Sequence, residues 1–266
     1  MRSARFAWCS DETVPAPAAS AGNAIPGLPD RVDSRGRTTD RPRPCACVVL
    51  LHGLARTRHS MHRMQAALRA AGFHTANIGY PSRSLPIEQL ARPAVERGIA
   101  QCRRSGAATI HFVTHSMGGI VLRYYLARTK PAGLGRVVML SPPNRGSEAA
   151  DALMHSPLHR WYNGPAGQQL GTDAHSIPLR LPPVDYPLGV ITGNRVALFD
   201  RWLARAIPGV NDGKVAVERA GAPGMSDFLV VPCAHTFIMR EPAVIAQTLH
   251  FLANGAFDHG ISADRR

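Results

Sequence analysis

Ser116 sits in Thr114-His115-Ser116-Met117-Gly118-Gly119, directly after the apolar, β-branched run Thr109–Val113. A serine hydroxyl is a poor nucleophile at neutral pH. It attacks a carbonyl only when a base takes its proton and a carboxylate orients that base. Twelve histidines compete for the part of base. For the acid, Asp212 in Asn211-Asp212-Gly213-Lys214-Val215 presents its carboxylate on a tight turn, where Gly213 permits positive φ. Taken alone, an Asp-Gly pair is an ordinary turn, and Asp185 and Asp200 are the competing carboxylates.

The elements around Ser116 decide what it can reach. Thr109 to Val113 reads as an interior strand covered on both faces. From Ile120 the period changes: Ile120, Val121, Tyr124 and Ala127 share one helical face and Leu122 and Leu126 lie opposite, so this helix is heavily buried. A serine at such a corner stands at the carboxyl edge of a sheet and at a helix N-terminus, where backbone N–H groups meet developing negative charge. The rest of the chain continues the alternation. Strands are expected at Cys45–Leu51, Phe73–Tyr80, Arg136–Ser141, Leu188–Gly193 and Phe228–Pro232. Helices are expected near Ser60–Ala71, Pro86–Arg104, Ser147–Met154 and Glu241–Asn254. This pattern predicts an α/β fold: a mostly parallel central sheet of about six strands with helices on both faces.

The segment Thr114-His115-Ser116-Met117-Gly118 resembles the Gly-x-Ser-x-Gly nucleophile elbow of the α/β-hydrolases. It departs at Thr114, where a small residue is favoured because strand and helix pass close together. Two further segments strengthen the resemblance. Ser141-Pro142-Pro143-Asn144-Arg145-Gly146-Ser147 is similar to the Pro-Asn-x-Gly-Ser turn after the fourth strand of compact lipases and esterases, and Asn211-Asp212-Gly213-Lys214-Val215 to their acid loop. The resemblance covers about residues 45–255 and implies the chain order serine, acid, histidine. On that order Ser116 is the nucleophile, Asp212 the orienting acid and His235, after the last apolar strand, the base. His52 and His115 then suit the oxyanion loop and the elbow, and His250 falls in the final helix. The backbone amides of Met117 and of Leu54, the latter turned by Gly53, are the expected oxyanion donors. No metal or organic cofactor is implied.

Composition bounds the rest. The chain has 266 residues, 45% of them apolar, enough for one substantial core. Residues 1–44, rich in Pro, Ala, Arg, Asp and Ser, read as a loosely attached tail, 45–256 as the hydrolase domain, and 257–266 as a flexible end. The stretch 155–187 breaks the strand–helix rhythm and is expected to form either a small cap or lid over the site or an irregular surface loop. The formal net charge is +13. The arginines are scattered, with no basic run and no aromatic platform, so nucleic acid is not an expected partner. A small-molecule or lipid ester is the expected substrate, and an anionic membrane surface the partner that the charge would favour; oligomeric state is not readable. Five cysteines in spacings that fit no disulfide or zinc framework, with a Cys45–Cys47 bridge disfavoured, are expected to be free thiols. With no signal segment and no run of about 18 apolar residues, a soluble cytoplasmic protein is expected. Ester hydrolysis through an acyl-serine leads; acyl transfer or thioester hydrolysis on the same intermediate, or non-catalytic lipid-surface binding, are the alternatives.

Overall fold

The alternation of apolar runs and amphipathic helices produces six parallel strands in the order β2-β1-β3-β4-β5-β6. The structure is a computed structural model, and it describes residues 46–154 and 157–260. In chain order the elements are β1 (Ala46–Leu51), α1 (His62–Ala70), β2 (His74–Ile78), α2 (Ile87–Arg104), β3 (Thr109–His115), α3 (Met117–Leu126), β4 (Leu134–Leu140) and α4 (Glu148–Met154). They continue with α5 (Pro157–Gln168), α6 (Ile177–Arg180), β5 (Leu188–Gly193), α7 (Arg201–Ala204), α8 (Val217–Ala220), β6 (Asp227–Val231) and α9 (Pro242–Asn254). Short 3-10 turns cover Arg58–Met61, Leu198–Asp200 and His235–Arg240.

Side chains of period two divide each inner strand between two cores. On β1, Cys47, Val49 and Leu51 face one side, where α2 and α3 supply Leu90, Val95, Ile120 and Leu122. Val48 and Leu50 face the other, packing with Met64 and Leu68 of α1 and with Phe251 and Leu252 of α9. The sheet is therefore buried on both faces, which is why its inner strands are mostly apolar. Among the described residues no helix is long and apolar enough to cross a membrane.

Two expectations are corrected here. Cys47 and Cys102 form a disulfide, their Cα atoms 5.5 Å apart, so the free-thiol reading fails for this pair. The cause is a crossing that spacing along the chain does not reveal. Gly98 lets α2 lie close on β1, for a Cβ there would fall 2.4 Å from Val49 Cγ1. One helical turn later, Cys102 meets Cys47. Cys233 is free and buried, while Cys9 and Cys45 lie outside the described residues. Second, the expected flexible end is fastened at its start. Phe257 is 4% exposed and packs on Phe251, its amide donates to Asp227 at 2.7 Å, and His259 contacts the same carboxylate. The expected tail over residues 1–44, and residues 261–266, lie outside the described residues.

The stretch after α4 is neither a single loop nor a separate unit. It carries α5, interrupted at Gly164 where φ is 64°, and the short α6. Ala166, Leu170, Ile177, Val184 and Tyr186 join the core on the α2–α3 side of the sheet, with Leu54 packed against the same cluster. Gln169 ties the segment to the start of α2, accepting from the Ile87 amide at 2.7 Å and donating to Glu88 at 2.7 Å.

The disulfide joins positions separated by 55 residues, and closing a loop of this size constrains the unfolded chain. Cys102→Ala, or reduction of the wild type, is expected to lower the unfolding free energy by about 2–4 kcal/mol. Equal urea midpoints for oxidised and reduced protein would contradict the bond.

Candidate active site

β3 ends at His115 and α3 starts at Met117, so a single residue, Ser116, makes the corner. Its backbone adopts φ 51° and ψ −125°, a region that costs a non-glycine residue on the order of 1–3 kcal/mol. Hydrogen bonds hold it there: the Ser116 amide donates to Leu140 O at 2.8 Å, and the Gly119 amide to Ser116 O at 2.9 Å. The residues around the corner are glycines because main chains meet there. A Cβ on Gly53 would lie 3.1 Å from Ser116 Cβ, and one on Gly118 would lie 2.7 Å from both Leu51 O and His52 O. Thr114, the departure from the elbow pattern, is fully buried. Its room comes from Gly119 rather than from spreading of strand and helix, for a Cβ on Gly119 would stand 3.3 Å from Thr114 Oγ1.

The expected acid and base arrive on the connections after β5 and β6. His235 Nε2 lies 3.0 Å from Ser116 Oγ, and His235 Nδ1 lies 2.9 Å from Asp212 Oδ2. The two loops are fastened a second time through the main chain, the His235 amide donating to Asp212 O at 3.0 Å. Gly193, at the end of β5, allows this approach, since a Cβ there would fall 2.2 Å from Cys233 O. Asp212 Oδ1 accepts from the Lys214 and Val215 amides at 3.0 and 2.8 Å, and Gly213 sits at φ 101°. Burial would raise the Asp212 carboxyl pKa, but the His235 imidazole and the Val215 amide outweigh it and hold the carboxyl below its ordinary value. Asp212 is thus a fully buried carboxylate whose oxygens are all directed at donors.

The competing residues fall elsewhere. Asp185 makes an exposed ion pair with Lys130. Asp200 is buried beneath the acid loop, 3.3 Å from Lys214 Nζ and accepting from the Thr236 hydroxyl at 3.2 Å. His250 contacts Ala256 O on the surface. His52 is locked neutral between two main-chain partners: Nδ1 donates to Gly53 O at 2.9 Å, and Nε2 accepts from the Tyr80 amide at 3.3 Å. Burial lowers its pKa. The Leu54 and Met117 amides, expected as oxyanion donors, have no acceptor among the described residues. Met117 is the first residue of α3, whose opening amides have no partner within the helix.

Two supporting side chains have no signal in the sequence. His115 is wholly buried, and its Nε2 donates to His235 O at 3.1 Å, propping the main chain of the base. Burial, with the His235 and Arg56 charges, pushes its pKa well below the ordinary histidine value, so it stays neutral. Arg123 on α3 is 3% exposed and meets no carboxylate among the described residues. Its guanidinium instead donates to Asn144 O and Oδ1 at 3.1 and 3.0 Å and to Pro182 O at 3.2 Å. Asn144 passes the restraint on to Ala220 O at 2.8 Å, and the Ser147 hydroxyl donates to Lys214 O at 2.6 Å. The turn after β4 thereby braces the acid loop. Neither role could be read from spacing, because each depends on a carbonyl contributed by a distant loop.

The tightness of the elbow is measurable. Replacing a helical glycine by alanine ordinarily stabilises by about 0.5–1 kcal/mol. At Gly118 the added methyl meets two backbone carbonyls that cannot move aside, and overpacking of this kind costs about 1–3 kcal/mol. Gly118→Ala is therefore expected to be net destabilising in thermal or urea unfolding, and a stabilised variant would contradict the close approach of α3 to β1.

Comparison with known proteins identifies the family and the fold. Residues 48–256 match the model of the Alpha/beta hydrolase family. Over 113 residues the chain is 32% identical to the triacylglycerol lipase of Pseudomonas fragi, covering 40% of this chain and 37% of that one. The chain thus spans well under half of that relative. A Bacillus licheniformis lipase in its mature form superimposes with a TM-score of 0.59 at 20% identity, covering 84% of this chain and 96% of that one. A metagenomic carboxyl esterase superimposes with a TM-score of 0.55 at 18% identity, covering 77% of this chain and 70% of that one. Six parallel strands, an elbow serine at the edge of the third, and a family match over most of the chain lead to one conclusion: this protein belongs to the alpha/beta hydrolase family.

Proposed function

We propose that the protein hydrolyses carboxylic esters through an acyl-enzyme on Ser116. The observation that carries the reading is the unbroken chain of contacts from Ser116 Oγ through His235 to Asp212, 3.0 and 2.9 Å long, with the serine held at a strained corner. In this reading His235 donates Nδ1–H to Asp212, which leaves Nε2 free to take the Ser116 proton as Oγ attacks the ester carbonyl. The carbonyl oxygen becomes an oxyanion, met by the Leu54 and Met117 amides. His235 then gives its proton to the departing alkoxide, and the alcohol leaves. Water, deprotonated by the same nitrogen, attacks the acyl-serine, and collapse of the second tetrahedral intermediate releases the acid and restores Ser116. Asp212 stays ionised throughout, orienting the imidazole and stabilising the imidazolium.

An apolar acyl group fits the surroundings. Leu198, Phe199, Trp202 and Phe237 are exposed, at 75, 56, 57 and 41%. Phe199 and Phe237 meet edge to face at 6.2 Å, and Phe237 is two residues along the chain from His235. The partial likeness to a triacylglycerol lipase favours the same substrate class.

Initial rates on p-nitrophenyl esters of increasing acyl length test the reading. Ser116→Ala is expected to remain folded and to lose on the order of 10⁴–10⁶-fold in kcat. The chain-length optimum then reports the depth of the acyl pocket. Retention of substantial turnover by the folded variant would overturn the assignment.

A further inference from the structure

The loop that carries Gly53 and Leu54 also borders a second space, one whose lining does not include Ser116. There a cavity of about 410 Å³ opens at the carboxyl edge of β1 and β2, lined by His52, Arg56, Arg58, His59, Arg97 and Gln101, with Gly79 and Tyr80 also contributing to its wall. Three arginines line this space, and no aspartate or glutamate does. Among the described residues two arginines pair with acids, Arg92 with Glu96 and Arg219 with Glu148. Arg56, Arg58 and Arg97 have no such partner among the described residues. The guanidinium of Arg97 donates to Gly79 O at 3.2 Å. The wall at Gly79 is open, since the nearest atoms to a Cβ placed there are Arg58 methylenes 3.9 Å away. Three positive groups around one cavity repel each other unless an anion or solvent counterions neutralise them, and planar guanidinium forks match the oxygens of phosphate.

We propose that this cavity is a binding site for a phosphate-class anion, held by Arg58 and Arg97 with Arg56 closing it on the side of the active site. Its wall and the candidate oxyanion loop are one piece of chain. His52, on the wall, is hydrogen-bonded to Gly53 O at 2.9 Å, and Gly53 lies directly against Ser116. The anion is either the headgroup of an acidic ester whose acyl end reaches Ser116 or a free phosphate that sets the position of this loop. Only that coupling to turnover rests on the esterase reading. Binding itself does not.

The test is titration of full-length Ser116→Ala protein with inorganic phosphate at constant ionic strength, followed by calorimetry. Saturable binding is expected, with Kd raised about tenfold or more in a background that also carries R58Q and R97Q. Gln101→Glu, which puts a carboxylate into the cavity from an exposed helix position, is expected to weaken binding in the same direction and guards against misfolding of the double variant. Absence of saturable binding at millimolar phosphate, or equal affinity in all three proteins, overturns the site. Kinetics on the otherwise wild-type enzyme then assign the source. A headgroup site raises KM for an ester bearing a phosphate, and not for a neutral ester, in R58Q/R97Q. A free-anion site makes neutral-ester turnover respond to added phosphate, and the response disappears in R58Q/R97Q. If no ester is hydrolysed at all, the esterase reading fails while the phosphate titration still decides the site.

Discussion

The arrangement of this molecule depends on one backbone constraint: Ser116 must turn from strand to helix within a single residue at positive φ. A corner this sharp brings α3 against the end of β1, so Gly53, Gly118 and Gly119 stand where any side chain would meet a main chain or a buried neighbour. The same corner lifts the hydroxyl above the sheet edge and leaves the first amide of α3 unpartnered. The strain is compensated by a sheet buried on both faces, in which each fully buried Leu, Ile or Phe contributes about 1.5–3 kcal/mol.

Around that corner the loops after β5 and β6 are tied together twice, by ring to carboxylate and by amide to carbonyl. The double tie matters because Asp212 and His235 stand on connections outside the sheet, with only short helical turns around them. His115 props the base from below, and Ser147, Asn144 and Arg123 brace the acid loop from the turn after β4. The uncompensated charge of Arg123 is met by carbonyl dipoles, which makes it a strut between segments rather than half of an ion pair. Orienting the imidazole in this way fixes which nitrogen carries its proton, and the proposed mechanism uses that tautomer.

Much of this was legible before any coordinates. Short apolar runs alternating with helical segments, and the buried faces of α3, pointed to the strand and helix order, because burial on both sides of a parallel sheet leaves mostly apolar strands. Ser116, Asp212 and His235 could be named because the resemblance ordered them along the chain, and the structure brings the three together. What was not legible lies in crossings and long-range contacts. The Cys47–Cys102 bond needs α2 to lie on β1 at Gly98, and the linear spacing of cysteines carries no trace of that. The room for Thr114 is supplied by Gly119, so the substitution that weakens the elbow pattern is answered five residues later. The stretch after α4 was ambiguous because Gly164 and Pro165 break its helical period, although its apolar residues join the main core.

The central claim is that Ser116 is made nucleophilic by His235. Its most direct test is intact-protein mass spectrometry after exposure to an activated phosphonate ester, with peptide mapping of the adduct. The account predicts one adduct per chain, located on Ser116, absent from Ser116→Ala and formed far more slowly by a folded His235→Ala variant. An adduct on another residue, or labelling at the wild-type rate without His235, would contradict it.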